Sequence, residues 1–264
     1  MRFMVIRKSA ENTEAGAPAS RELVAAMLTY NEELAKAGIF KDGDGLKPSS
    51  LGTRVRLKGK KFTVLDGPFA ETKELVAGYS IIEAASKQDA VAIMRRWPVQ
   101  DGDVELELRQ LYGPEDFPAD PAAGDSPPPP AAPARKPGTT RYALLIKSDQ
   151  RTESGAPPDP EVMKAMDGLM DPFVASGAML GGQGLKPSAL GAKLTRVGSK
   201  VTITDGPFTE TKELIAGFSL LQLARKQAAI DFAKRWLQIH VDWSGLGEGE
   251  IEIRPLYEPA DFGL

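Results

Sequence analysis

The sequence predicts an α+β protein in which one βαββαβ unit occurs twice in tandem. Three observations carry that reading. The first is a repeat: Gly45-Leu46-Lys47-Pro48-Ser49 returns as Gly184-Leu185-Lys186-Pro187-Ser188, and Asp66-Gly67-Pro68-Phe69 returns as Asp205-Gly206-Pro207-Phe208. Both pairs are offset by 139 positions, and about 41 of the 96 positions from Arg2 to Trp97 match at that offset. The second is that each copy mixes strand-like alternation with helix-like 3.6-residue periodicity. The third is a boundary: nine of the 21 prolines fall between Pro114 and Pro137. That stretch has too few large apolar residues to bury a core and favours extended polyproline geometry. The organisation read from this is a first copy at 1–113, a Pro/Ala-rich linker at 114–139 and a second copy at 140–264, with modules of about 115 residues.

Within one copy the elements follow in order. Phe3 to Lys8 is a first strand. Ser20 is the N-cap of a helix whose apolar stripe is Leu23, Met27, Tyr30 and Leu34, closed by Gly38. The second copy repeats the stripe as Val162, Met166, Leu169 and Phe173, and Pro172 inside it predicts a kink or an early end. Thr53 to Leu65 reads as a hairpin turning at Gly59. Leu75 to Glu83 is a continuous apolar run, expected to be buried on both faces. Ser86 caps a second helix with apolar face Ala90, Ile93, Met94 and Trp97. The last strand alternates Leu106 and Leu108 inward with Glu105, Glu107 and Arg109 outward. With the hairpin as an excursion this is a ferredoxin-like order. Helices would cover one face of the sheet, and the second copy would cover the other, giving a pseudo-twofold dimer inside one chain.

Composition narrows the chemistry. The chain has 264 residues, no cysteine and one histidine, and 33 basic against 36 acidic side chains leave a formal charge of −3. Disulfides, thiolate metal sites and cysteine nucleophiles are excluded. The charge is no footprint for nucleic acid or an anionic membrane. Neither a signal peptide nor an apolar span is expected, so the reading is a soluble, cytoplasmic protein without cofactor or metal.

Two segments carry the candidate chemistry. The densest identity between the copies is Asp66-Gly67-Pro68-Phe69-Ala70-Glu71-Thr72-Lys73-Glu74 against Asp205-Gly206-Pro207-Phe208-Thr209-Glu210-Thr211-Lys212-Glu213. Asp-Gly-Pro makes a turn and Phe69 can plug a core. The same block can also line a pocket, with Asp66 and Asp205 as candidate bases and Glu71, Lys73, Glu74, Glu210, Lys212 and Glu213 gripping a ligand. Lys47 and Lys186 either offer a cation to an acidic ligand or stand as solvated loop lysines. His240 reads as a loop residue beyond the last helix, outside any catalytic pattern. Trp97 and Trp236 read as core anchors.

These motifs resemble the DGPF-motif branch of the YCII-related family. The resemblance covers both copies and implies a dimeric α+β barrel with its ligand cleft between paired sheets. One relative is a dehydrochlorinase, and some DGPF proteins are linked to alternative sigma factors. Relatives are thought to use a His–Asp pair with the histidine on the first helix. Neither 20–38 nor 159–177 contains histidine, so that dyad does not carry over. The expected function is binding of a small polar metabolite in the cleft between the modules, in a sensory or regulatory role. The alternative is a His-independent lyase or isomerase using the DGPF-loop carboxylates. The modules are expected to pair within one chain, and a homodimer of chains stays open.

Overall fold

A computed structural model describes residues 1–70, 75–116, 133–156, 160–209 and 214–262. Most of the Pro/Ala-rich linker, 117–132, lies outside the described residues. The first copy contains β1 (Arg2–Lys8), α1 (Glu11–Glu14), α2 (Arg21–Lys36), β2 (Phe40–Gly45), β3 (Thr53–Lys58), β4 (Lys61–Asp66), β5 (Val76–Glu83), α3 (Lys87–Met94) and β6 (Val104–Gln110). The second contains β7 (Thr140–Lys147), α4 (Gln150–Glu153), α5 (Pro160–Ala175), β8 (Met179–Gly184), β9 (Ala192–Val197), β10 (Lys200–Asp205), β11 (Ile215–Leu223), α6 (Lys226–Ser244) and β12 (Glu248–Pro255). The Ser20 hydroxyl accepts the Leu23 amide at 3.1 Å, and Ser86 accepts that of Asp89 at 3.1 Å, so both N-caps form. No described helix is long and apolar enough to cross a membrane.

The strands form two antiparallel six-stranded sheets, β10-β9-β6-β1-β5-β2 and β4-β3-β12-β7-β11-β8. Each copy thus contributes four strands in the ferredoxin-like order and sends its hairpin to the other copy's sheet. Hairpin β3–β4 pairs with β12, Val55 opposite Ile251, and hairpin β9–β10 pairs with β6, Leu194 opposite Leu106. Val55 and Leu57 are therefore buried in the helix-side core of the second half, and Ala192 and Leu194 in that of the first. A third core, including Met4, Ile6, Leu145 and Phe218, lies where residues of both sheets meet. Isolated bridges Leu46–Leu256 and Leu111–Leu185 join the sheets at both β2 and β8 edges.

Three expectations change. Strands β2 and β8 lack hydrophobic alternation and escape the sequence pattern; their glycines permit close pairing, since a Cβ on Gly43 would meet the Tyr79 carbonyl at 2.8 Å. Helix α5 runs past Pro172 to Ala175, where Phe173 packs edge-on against Phe232 at 4.9 Å and holds the last turn. The side of β6 read as outward is the inter-sheet side, and Glu107 and Arg109 on it are fully buried. Period-two alternation assigns residues to faces but does not say what covers a face.

Those buried charges are paired across the pseudo-twofold. Arg109 donates to Glu107 (3.1 Å), to Glu153 of α4 (3.1 Å) and to the Lys186 and Ile215 carbonyls. Arg254 repeats the pattern with Glu252 (2.9 Å), Glu14 of α1 (3.3 Å) and the Lys47 carbonyl. Burial alone would raise the Glu107 carboxyl, but Lys8 and Arg109 hold it below its ordinary range; Lys147 and Arg254 do the same for Glu252. Breaking one partner of such a pair leaves an uncompensated charge. Arg254→Leu should cost about 3–5 kcal/mol in urea unfolding, and a loss under about 1 kcal/mol would contradict the role assigned to it. Cutting the chain within 117–132 should leave both halves co-eluting in size-exclusion chromatography, since each completes the other's sheet. Separate elution would sink this.

Candidate functional site

The DGPF blocks sit where each exchanged hairpin ends. Asp66 closes β4 and accepts from the Thr53 hydroxyl (2.6 Å) and from Lys226 at the start of α6 (2.8 Å). Asp205 pairs with Lys87 at the start of α3 at 2.6 Å. Each aspartate thus holds the other copy's last helix, and both side chains are largely exposed. The hydrogen bonds from Lys226 and Thr53 hold the Asp66 carboxyl below its usual range. A Cβ on Gly67 would lie 1.9 Å from the Ser49 carbonyl, so only glycine fits, and Gly206 meets Ser188 the same way. Phe69 is buried under the Arg54 guanidinium, 4.2 Å from its ring centre. Glu71, Lys73, Glu74, Glu210, Lys212 and Glu213 lie outside the described residues. Lys47 bonds Asp261 at 2.8 Å, joining the two copies, and Lys186 bonds Asp116 at the start of the linker at 2.6 Å.

A cavity of ≈ 660 Å³ lies elsewhere, between α5, α6 and the sheet of the second half. Its apolar wall comes from Ile146, Met163, Met166, Met170, Phe218, Trp236 and Trp243. Thr152, Gln183, Lys186 and His240 supply polar groups, and among the described residues Tyr112 of the first copy and Asp116 at the start of the linker also line it. Of the sequence candidates Lys186 lines this cavity; Asp66, Asp205 and Lys47 do not. Side chains of the inter-sheet core pack between the two sheets, and two of them, Phe218 and Leu185, also line this cavity.

His240 is not in a loop. In the first copy Pro98 follows Trp97 and α3 has already ended at Met94. In the second, Leu237 follows Trp236, and Ile230, Ala233, Leu237 and Val241 continue one buried stripe to Ser244. Gly245, at φ +68°, ends the helix. The signal was available: the proline is replaced by leucine, and the six extra residues of this copy keep helical spacing. His240 is buried, its ring stacked on Trp236 at 5.0 Å, with Nε2 2.8 Å from Asp149 Oδ2. Asp149 is the N-cap of α4 and accepts the Thr152 amide at 2.8 Å. Burial pushes its carboxyl up, but the bonds from His240 and Thr152 outweigh burial and hold it below the carboxylate range. An ionised Asp149 only accepts, so Nε2 is the donor of this bond.

The first half lacks this arrangement. The counterpart of Asp149 is Ala10, and that of Ile146 is Arg7. Arg7 binds Asp101 through two nitrogens (2.7 and 2.6 Å), and the Trp97 indole donates to the same carboxylate at 2.8 Å. Among the described residues no group of three His, Cys, Asp or Glu could hold a metal ion.

Comparison with known proteins gives three findings. A family model for the YCII-related domain matches residues 1–108 and again 140–237. "Uncharacterized protein R00369" of Rhizobium meliloti (strain 1021) is 30% identical over 124 residues, 46% of this chain and 96% of that protein. A solved structure from Fusobacterium nucleatum subsp. nucleatum ATCC 25586, named "Putative monooxygenase", is 9% identical, with a TM-score of 0.29 over 97% of this chain and 91% of that one.

The Asp149 pair has a pH signature. Its lowered folded pKa contributes stability above the unfolded value, about 4, which is lost as pH falls through the folded value. The stability gap between wild type and Asp149→Asn should therefore narrow from about pH 5 downward. Urea unfolding across this range measures it; a gap constant into strong acid would contradict the pairing.

Proposed function

This chain belongs to the YCII-related domain family, and from that premise we propose that its second half binds one small, largely apolar molecule in the cavity between α5, α6 and the sheet. The observation that carries this reading is the cavity itself, walled by thioethers, Phe218 and indoles with a few polar groups. Concave, mostly apolar sites with few polar groups are the usual form of small-molecule sites. The role is a binding or sensory one, and the ligand is more apolar than the small polar metabolite expected from the sequence. Flexible methionines adapt such a wall to differently shaped ligands.

A second reading is favoured by His240. A histidine held by a carboxylate, with its other nitrogen free of hydrogen bonds among the described residues, is set to take a proton from a bound molecule. An enzyme of lyase or isomerase type would then work through His240 rather than through Asp66 or Asp205, which are engaged by lysines outside the cavity.

Titration with 8-anilinonaphthalene-1-sulfonate, followed by its fluorescence, tests the binding reading. Saturation at one probe per chain is expected. Ala216→Leu, which adds bulk to the cavity wall, should weaken binding about tenfold, or about 1.4 kcal/mol, with an unchanged far-UV circular dichroism spectrum. No saturable binding, or equal binding by Ala216→Leu, would overturn it.

A further inference from the structure

We propose that this chain associates with a second copy of itself through the free edge of β4, the two edges pairing antiparallel about a twofold axis at Thr63. No residue of β4 lines the cavity, so this surface stands apart from the ligand reading.

The four sheet ends differ. Strands β2 and β8 run on into the Leu46–Leu256 and Leu111–Leu185 bridges, which tie those ends to the opposite sheet. Strands β4 and β10 end their sheets with no further strand beside them among the described residues. Such an edge is a template for another strand unless charge or proline guards it. On β4, Val64 and Leu65 are 42% and 58% exposed, and Leu51, just before the hairpin, is exposed as well.

The hairpin sets which groups face outward. Lys58 and Lys61 oppose each other across the two-residue turn Gly59–Lys60, followed by Arg56–Thr63 and Arg54–Leu65. The pair flanking such a turn is hydrogen-bonded, and bonded and non-bonded pairs then alternate. Lys61, Thr63 and Leu65 therefore bond to β3, while the N–H and C=O groups of Phe62 and Val64 point away from it. A second β4 satisfies them when Phe62 lies opposite Val64 of the other copy. That register sets Thr63 opposite Thr63 on the axis and Lys60 opposite Asp66 at both ends. Opposite charges directly across strands are favourable. Lys60 is exposed at the turn, and the bonds that Asp66 accepts from Thr53 and Lys226 both fall on Oδ1, which leaves Oδ2 for Lys60. Sliding the register by two residues puts Asp66 opposite Phe62 or Lys60 opposite Val64, and the charge match is lost.

The same register on β10 offers no such match, because Ser199 stands at the place of Lys60. A β4–β10 contact would form one charge pair, Lys60 with Asp205, where β4–β4 forms two. The self-complementary edge closes a dimer, whereas the mixed contact would build an open chain.

Sedimentation velocity of the full-length protein up to about 100 μM should show twice the 28.4 kDa chain mass, with a micromolar Kd. Val64→Pro removes an outward N–H and no bond to β3, and should weaken association about tenfold or more with an unchanged far-UV circular dichroism spectrum. Ile203→Pro, at the matching place on β10, should leave it intact. Lys60→Glu, which sets like charges opposite each other, should also weaken it. The chain has no cysteine, so Thr63→Cys creates a single thiol. Its mate across the axis lies in a non-hydrogen-bonded pair about 4.5 Å away between Cα atoms, within disulfide reach. Oxidation should therefore yield a covalent dimer with Thr63→Cys and not with Thr202→Cys on β10; this reads the contact directly if Val64→Pro does not fold. A monomer throughout the range, equal cross-linking by Thr202→Cys, or growth into open-ended oligomers would overturn the proposal.

Discussion

Two buried guanidiniums hold this molecule together. Arg109 and Arg254 have no exposed surface, and each sends its donors into the other copy. A buried charge persists only when paired and hydrogen-bonded throughout. That requirement ties the last strand of one copy to the short helix after the other copy's first strand, through Glu153 or Glu14. The same glutamates then accept the Ser188 and Ser49 amides at 2.9 and 2.8 Å, which positions the Lys-Pro-Ser loops. Those loops in turn receive the cis Gly67–Pro68 and Gly206–Pro207 corners and the Phe69 and Phe208 amides. In the second half the chain of contacts reaches the cavity, since Thr152, Lys186 and Pro187 line it. The charged network and the cavity are one piece of structure.

Pairing within a single chain frees the two halves to diverge. In a symmetric homodimer any substitution appears twice, and a group that opens one site opens both. Here Arg7 with Asp101 occupies one half where Ile146 faces the cavity in the other, and Ala10 stands where Asp149 orients His240. The shared positions, such as Gly67, Phe69 and the Lys47 and Lys186 loops, are those that the exchanged hairpins need. Five divergent positions, Ile146, Met163, Met170, Gln183 and Phe218, line the cavity beside residues that the copies share. The repeat therefore separates the pinned hairpins, where the copies agree, from the end of the last helix, where they differ.

That separation explains what could be read from the chain alone. The tandem ferredoxin-like order was legible because Leu23, Met27, Tyr30 and Leu34, or Val55 and Leu57, show their period locally. The exchange of hairpins was not, because Val55 and Leu57 look the same whichever sheet they join. The burial of Glu107 and Arg109 was hidden for a related reason: alternation places them on a face, and only the second sheet makes that face an interior. The site was sought in the densest identity, which is where the hairpins are pinned. His240 was set aside because it lacked a counterpart, whereas most of the residues around it in the cavity wall, such as Thr152, Met166, Lys186 and Trp236, have one. Asp149, 91 positions away, had no sequence signal linking it to His240.

The last helix shows how a local change in one copy demands a matching change in the other. In the first half α3 ends at Met94, and the Trp97, Pro98 and Gly102 carbonyls lie beyond its end. The exchanged hairpin of the second copy supplies their donor: Arg196 donates to all three, at 2.9, 2.8 and 2.8 Å. In the second half the helix continues to Ser244 and its carbonyls are met by its own backbone, so an arginine from the partner hairpin would have nothing to bind. The residue at that position is Leu57, which joins the apolar cluster containing Leu237 and Val241. Extending α6 thus required an apolar partner on a hairpin from the other copy, and the same extension brought His240 and Trp243 to the cavity. The divergence of the two halves is coupled through the strands they exchange, so the cavity of one half is written partly in the sequence of the other.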